Sequence, residues 1–188
     1  MRNLKKSISI LLVVVLAFGL SGCWNRRELN SLGIVMGVAI DKTKKEGIIE
    51  LSAQIVDTSK MQSGSVGGSG ISYITISGEG HNPISIMRGF THQISRKLYM
   101  PHNQMIVFGQ ALAKEGIHDA LDFYLRDHET RLTVNVFVAK DKGKDVFDVE
   151  PELAKIPAAD ISLRIQAQSA TSETATLTIF ELMNCLAS

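Results

Sequence analysis

The sequence predicts a mixed α/β (α+β) fold, a mixed β-sheet covered by helices and followed by a helical C-terminal segment. Between residues 33 and 139, short apolar or alternating stretches follow one another in the order β-β-β-α-β-α-β. The two helical stretches in that series each carry a single apolar stripe, which needs a sheet face to cover it. From Asp141 onward Pro151 and Pro157 punctuate helical turns, and the pattern of strands stops.

The N-terminus stands apart from this domain. Arg2, Lys5 and Lys6 form a basic start, and Ile8 to Leu20 is an almost unbroken apolar run. Thirteen helical residues reach about 20 Å, short of the ~30 Å hydrocarbon core of a bilayer. That is the length of a secretory h-region. Leu20-Ser21-Gly22-Cys23 follows it directly. Small residues admit the chain to a peptidase cleft, and the next residue supplies a thiol. The pattern resembles the bacterial lipobox, in which the cysteine receives a diacylglyceryl group. Residues 1–22 are therefore expected to be a lipoprotein signal peptide and Cys23 the lipidated first residue of the mature chain. The alternatives are an ordinary signal peptide with an incidental cysteine, or an uncleaved anchor. Two acyl chains suffice for stable anchoring where one is marginal. Trp24 then stands at the lipid–water interface or in a core.

Gly33 to Asp41 is apolar on both faces and reads as a buried strand. After the charged turn Lys42 to Gly47, Ile48 to Asp57 alternates. Ile49, Leu51, Ala53 and Ile55 fall on one side, and Glu50, Ser52 and Gln54 on the other, which predicts a half-buried hairpin partner. Ser63 to Gly70 holds four glycines and three serines without a following Gly-Lys-Ser/Thr, so it reads as a loop rather than a phosphate cradle. Ile71 to Ser77 is a third strand, with a turn from Gly78 to Asn82. Asn82-Pro83 suits a cap and first helical position. Ile86, Phe90, Ile94 and Leu98 give that helix its apolar face, and it is expected to end near Arg96-Lys97. Gln104 to Phe108 reads as a strand, Gly116 to Arg126 as a helix and Leu132 to Ala139 as the last strand. Ile161 to Gln168 and Leu177 to Leu186 read as helices. The latter carries Ile179, Leu182, Met183 and Leu186 on a face expected to lie bare or to fold back on the former.

Composition excludes several functions. Beyond residue 22 the chain has 17 bases against 19 acids, so it lacks the basic surface on which nucleic-acid affinity depends, and no nucleic-acid partner is expected. With Cys23 lipidated, Cys185 has no partner for a disulfide or thiolate site, and among Leu182, Met183 and Leu186 it reads as a small buried residue. The five histidines fall in no zinc-ligand spacing, and no nucleophile elbow or placed catalytic cysteine occurs. No cofactor, metal or catalytic residue is expected, and the chain does not read as an enzyme. The most unusual internal stretch is Arg126-Asp127-His128-Glu129-Thr130-Arg131. Arg126, Asp127, Glu129 and Arg131 read first as ion pairs that fix a turn, and second as a docking surface of arginine forks.

Three stretches together resemble one family, the Ger(x)C lipoproteins of endospore formers. They are Cys23-Trp24-Asn25-Arg26-Arg27-Glu28-Leu29 running into Gly33 to Asp41, then Gly80-His81 with Arg96-Lys97-Leu98-Tyr99 and His102, and the corner from Arg126 to Arg131. The family often has an acid where Asn25 stands. The resemblance implies a non-enzymatic C subunit of a spore germinant receptor. Such a subunit is lipid-anchored on the extracytoplasmic face of the spore inner membrane, beside integral-membrane A and B subunits. Nutrient binding is usually ascribed to those membrane subunits. Family members are about twice as long, so residues 23–188 correspond to their N-terminal domain, with a sheet core at about 33–139 and a helical segment at about 141–188. A chain cut short is expected to self-associate or fray beyond about Asp141. A general extracytoplasmic solute-binding lipoprotein is the rival reading; it needs two lobes around a cleft, for which one sheet is little material.

Overall fold

The computed structural model describes residues 2–19, 31–57, 72–127, 129–168 and 177–187. Leu20 to Cys23, Trp24 and the Ser63 to Gly70 loop lie outside the described residues. The apolar N-terminal run is helical, α1 (Arg2–Gly19), with Leu4, Ile8, Ile10, Leu11 and Leu12 exposed. Among the described residues, no helix is long and apolar enough to cross a membrane.

The core is a seven-stranded mixed sheet. Strands β1 (Leu32–Lys42), β2 (Ile49–Asp57) and β3 (Ser72–Gly80) form an antiparallel meander. On the other side of β1, β4 (Lys97–Tyr99) and β5 (Met105–Gly109) both run parallel to it. Next come β6 (Asn135–Ala139), parallel to β5, and β7 (Leu177–Thr178), antiparallel to β6. The order is β3-β2-β1-β5-β6-β7, with β4 beside β1. An irregularity between Val35 and Gly37 shifts the β1–β2 register. Beside it Met36 turns its carbonyl to the Gln104 amide, 3.0 Å away.

Alternation along these strands sorts the side chains into two layers. Val38 and Ile40, Leu51 and Ala53, and Ile106 and Phe108 point to one face. It is covered by α2 (Pro83–Ile94), α3 (Gln110–Glu115), α4 (His118–Arg126) and α6 (Ile179–Ala187). Ala39, Met105 and Val107 point to the other, where α5 (Pro157–Gln168) and a 3-10 turn (Lys144–Asp148) bring Ala158 and Phe147. Gly37 is required there, since a Cβ would lie 2.8 Å from both Ala158 and Phe147.

Several expectations are corrected. β2 is buried on both sides: Ser52 and Gln54 are 0% exposed, because α5 covers the face that alternation assigns to solvent. The Ser52 and Ser77 hydroxyls are 2.7 Å apart, and Gln54 Oε1 accepts the Ala158 amide at 2.8 Å, while Gln54 Nε2 has no hydrogen-bond partner among the described residues. β3 runs on through Gly78 to Gly80, where the sequence suggested a turn. A Cβ at Gly78 would lie 2.9 Å from Phe90, so the glycine lets α2 sit close. Asn82 caps α2 as expected, accepting the Ser85 amide at 2.9 Å. The helix stops at Ile94, because Ser95 adopts φ 51°, and Leu98 packs from β4 rather than from a fourth helical turn. The Gly116 to Arg126 helix begins at His118, after a separate α3, since Gly116 takes φ 135° and breaks the run. Leu132 and Thr133 form a turn, and β6 starts at Asn135.

The C-terminal segment is woven into the domain and not appended to it. β7 extends the sheet, and α6 packs on the face opposite α5, so it does not fold back on that helix. Ile179 is fully buried, with Leu182 and Met183 partly so against the main core. Leu186 remains 57% exposed. Cys185 is exposed, on the outer side of α6, and is not the buried residue expected.

Candidate interaction corner

Helix α4 presents Leu121 and Tyr124 to the core, which puts Asp122 and Arg126 on its outer side. Arg126 Nε donates to Asp122 Oδ2 at 2.6 Å, one helical turn back, and not to Asp127. This hydrogen bond holds the Asp122 carboxyl below its usual range and raises the arginine. Both groups are exposed, so the pair adds little stability.

Asp127 instead closes the corner through the backbone. Its Oδ1 accepts the Glu129 amide at 3.1 Å and its Oδ2 the Thr130 hydroxyl at 3.0 Å, while its own N–H caps the Phe123 carbonyl at 3.0 Å. An aspartate bonding to the chain two residues ahead is a turn device. Glu129 reaches the Lys97 ammonium of β4, 3.4 Å away. Arg131 is exposed and has no ion pair among the described residues. His128 lies outside them. The expected pairing of the two arginines with Asp127 and Glu129 is thus replaced by Arg126–Asp122, Lys97–Glu129 and a backbone-capped Asp127.

Arg126, Asp127 and Glu129 line one groove of about 380 Å³ between α2 and α4, together with Ile84, Met87 and Phe123. Arg131 is turned away and lines a different cleft, beside Asn103 and Ser162. The corner is therefore two surfaces. The first joins apolar walls to charges of both signs, a composition suited to a protein partner. Among the described residues, no group of three His, Cys, Asp or Glu side chains is placed to hold a metal.

Sequence reasoning missed two buried carboxylates. Asp41 (3% exposed) ends β1 and accepts the Gly143 amide at 2.7 Å and the Lys144 amide at 3.0 Å. Burial outweighs these bonds and raises its pKa. Asp160 (1% exposed) accepts the Leu153 and Ala154 amides at 2.6 and 2.7 Å and the Arg164 guanidinium at 2.7 Å. The backbone N–H of Ala154 leads in lowering its pKa to about 2. An acid closing an apolar run, as in Val38-Ala39-Ile40-Asp41, was the available signal for the first.

The family described as the spore germination protein N-terminal domain matches residues 25–188. The chain is 31% identical over 165 residues to spore germination protein KC of Bacillus subtilis (strain 168), covering 84% of this chain and 40% of that protein. The putative spore germination protein YfkR of the same organism is 27% identical over 159 residues, covering 84% and 41%. Spore germination protein YndF, also from that organism, is 29% identical over 180 residues, covering 83% and 44%. The chain thus spans about two fifths of the length of these relatives. No solved structure matches it.

Proposed function

The chain belongs to the spore germination protein N-terminal domain family, and from that premise we propose that it serves spore germination as a lipid-anchored, non-catalytic receptor subunit. The observation that carries this reading is the match over residues 25–188, which begins two residues after Cys23. The anchor reading rests on the basic start, the short apolar run and Leu20-Ser21-Gly22-Cys23. The exposed apolar side chains of α1 suit a segment whose partner is lipid. Location on the extracytoplasmic face of the spore inner membrane, beside integral-membrane A and B subunits, follows from the family resemblance. The groove that Arg126, Asp127 and Glu129 share with Ile84, Met87 and Phe123 is the docking surface for those subunits.

Cys23→Ala tests the anchor. The variant is expected to leave the membrane fraction and to lose labelling by a radioactive fatty acid; unchanged labelling overturns it. Met87→Glu tests the docking groove by placing a charge on its apolar wall. Co-purification with multi-span membrane proteins from spores should fall while lipid labelling persists. Undiminished co-purification removes the groove from the interface.

A further inference from the structure

We propose that the cleft lined by Arg131, Asn103 and Ser162 binds a small hydroxylated carboxylate. The cleft, about 400 Å³, lies between the Pro101–Gln104 turn, the approach to β6 and α5. That volume is in the range of small-molecule sites.

The Asn103 amide is the first argument. The residue is 5% exposed, yet neither its Nδ2 nor its Oδ1 has a hydrogen-bond partner among the described residues. Among those residues Gln54 Nε2 and Tyr124 Oη are also buried without a partner, but neither lines this cleft; Asn103 does, and both of its side-chain polar atoms are unpaired. An amide so placed lacks both an acceptor for its N–H and a donor for its oxygen, and a hydroxyl can supply either. Its backbone is held firmly. The Asn103 amide donates to the Met100 carbonyl at 2.8 Å, and Gln104 is fixed to Met36 on one side and to Asn135 on the other. The floor of the cleft is thus preorganised.

Charge supplies the second argument. Among the described residues, Arg131 brings a guanidinium to a lining that has no aspartate or glutamate. A cationic ligand would meet uncompensated repulsion there, whereas a carboxylate can take both arms of the arginine fork. The rest of the lining is rich in amides and hydroxyls, with Asn135, Thr133 and Ser162 among them, which suits hydroxyls on the ligand. This inference rests on the cleft alone and not on the proposed receptor role.

Isothermal titration calorimetry of the full chain in detergent micelles, with D-gluconate as probe, tests it. D-glucose serves as the uncharged comparator and acetate as the unhydroxylated one. Gluconate is expected to give saturable heat, with both comparators weaker by about tenfold or more. Arg131→Ala should weaken gluconate about tenfold, abolish its advantage over glucose and leave the melting temperature unchanged. Asn103→Leu should keep or raise the melting temperature while removing the gluconate signal, since an apolar group of similar size has no bonds to lose. Absence of saturable heat, equal binding of gluconate and glucose, or an indifferent Arg131→Ala variant each overturns the proposal. So does a lowered melting temperature in Asn103→Leu, which would place the amide's partners inside the fold.

Discussion

On one face of the sheet, Ile40, Leu51, Phe90, Phe108 and Tyr124 pack into a single apolar cluster that runs from β2 to α6. On the other, among the described residues, Ala39, Met105, Val107, Phe147 and Ala158 form a smaller buried apolar layer. There the α5 side is tied down by polar residues. Gln54 holds the first turn of α5, Asp41 holds the chain entering the 3-10 turn, and Asp160 holds the loop before α5. Lys144 adds an ion pair to Glu50, 3.1 Å away. Apolar burial is non-directional and scales with area, so the first face tolerates variation in how its helices approach. Hydrogen bonds to a buried carboxylate fix position, so the second face is small but exact in register.

The largest effect expected from this contrast is on the apolar face. Phe108→Ala should cost about 3–5 kcal/mol, the range for removing a fully buried aromatic ring. The loss should be global, with hydrogen-exchange protection falling in β1, β2 and β5 together. Urea unfolding monitored by circular dichroism measures the size; an effect under about 1 kcal/mol would mean the face is not the main core.

A smaller and local effect is expected from Asp41→Ala. It leaves the Gly143 and Lys144 amides without their acceptor, at about 1–3 kcal/mol for a buried orphan donor. Exchange protection should fall over residues 143–168 while β1 to β3 keep theirs. Loss spread evenly over the sheet would erase the distinction between the faces.

The two buried acids also respond to pH with opposite sign. An unfolded aspartate titrates near ~3.9. Asp160, held at about 2, contributes stability above the unfolded value, and this is lost as pH falls toward its folded value. Asp41 is raised, so the folded chain holds that proton better than the unfolded one. Its contribution is fullest below the unfolded value and declines as pH rises through the folded value. Melting temperature against pH should therefore lose part of its acid-side slope in Asp160→Asn. In Asp41→Asn it should lose part of the decline on the higher-pH side. Parallel profiles in the two variants would contradict this assignment.

How legible this molecule was depended on which neighbour decided each residue. Leu51 and Phe90 were readable because period-two and period-four patterns depend on the segment's own geometry, and Val38 and Ile40 because they lie in a short run that is apolar on both faces. Ser52 and Gln54 were misread because polar alternation implies solvent, whereas α5, about a hundred residues later, covers them. Leu98 continued a helical spacing, but the left-handed Ser95 redirected the chain into β4, and nothing in the local pattern announces a two-residue break. α6 was found by its apolar stripe, yet its packing face depended on β7, which is two residues long and has no pattern. At the corner the residue types were right and the pairing wrong. A charge run specifies which charges are near one another, and backbone geometry decides which of them meet. Cys23 is a reading of sequence alone, since it lies outside the described residues.

The smallest effect is expected at the corner itself, where the contrast between apolar burial and polar latching should vanish. Arg126 bonds to Asp122 with side chains that are 75% and 44% exposed, and a solvent-exposed i,i+4 pair contributes only about 0.3–0.5 kcal/mol. Arg131 is exposed and joins no ion pair among the described residues, so its removal should stay within about 0.5 kcal/mol of neutral. The sequence suggested ion pairs that fix the turn; the exposed geometry lowers what such pairs contribute. Arg126→Ala and Arg131→Ala should accordingly melt within a degree or two of the unmodified chain. The two are separable by function, because Arg126 lines the α2–α4 groove and Arg131 the Asn103 cleft. Arg126→Ala should weaken co-purification with membrane proteins and leave gluconate binding intact, and Arg131→Ala should do the reverse. If either variant melts several degrees lower, its arginine holds the fold together, and the corner is structural in the way Asp127 already is.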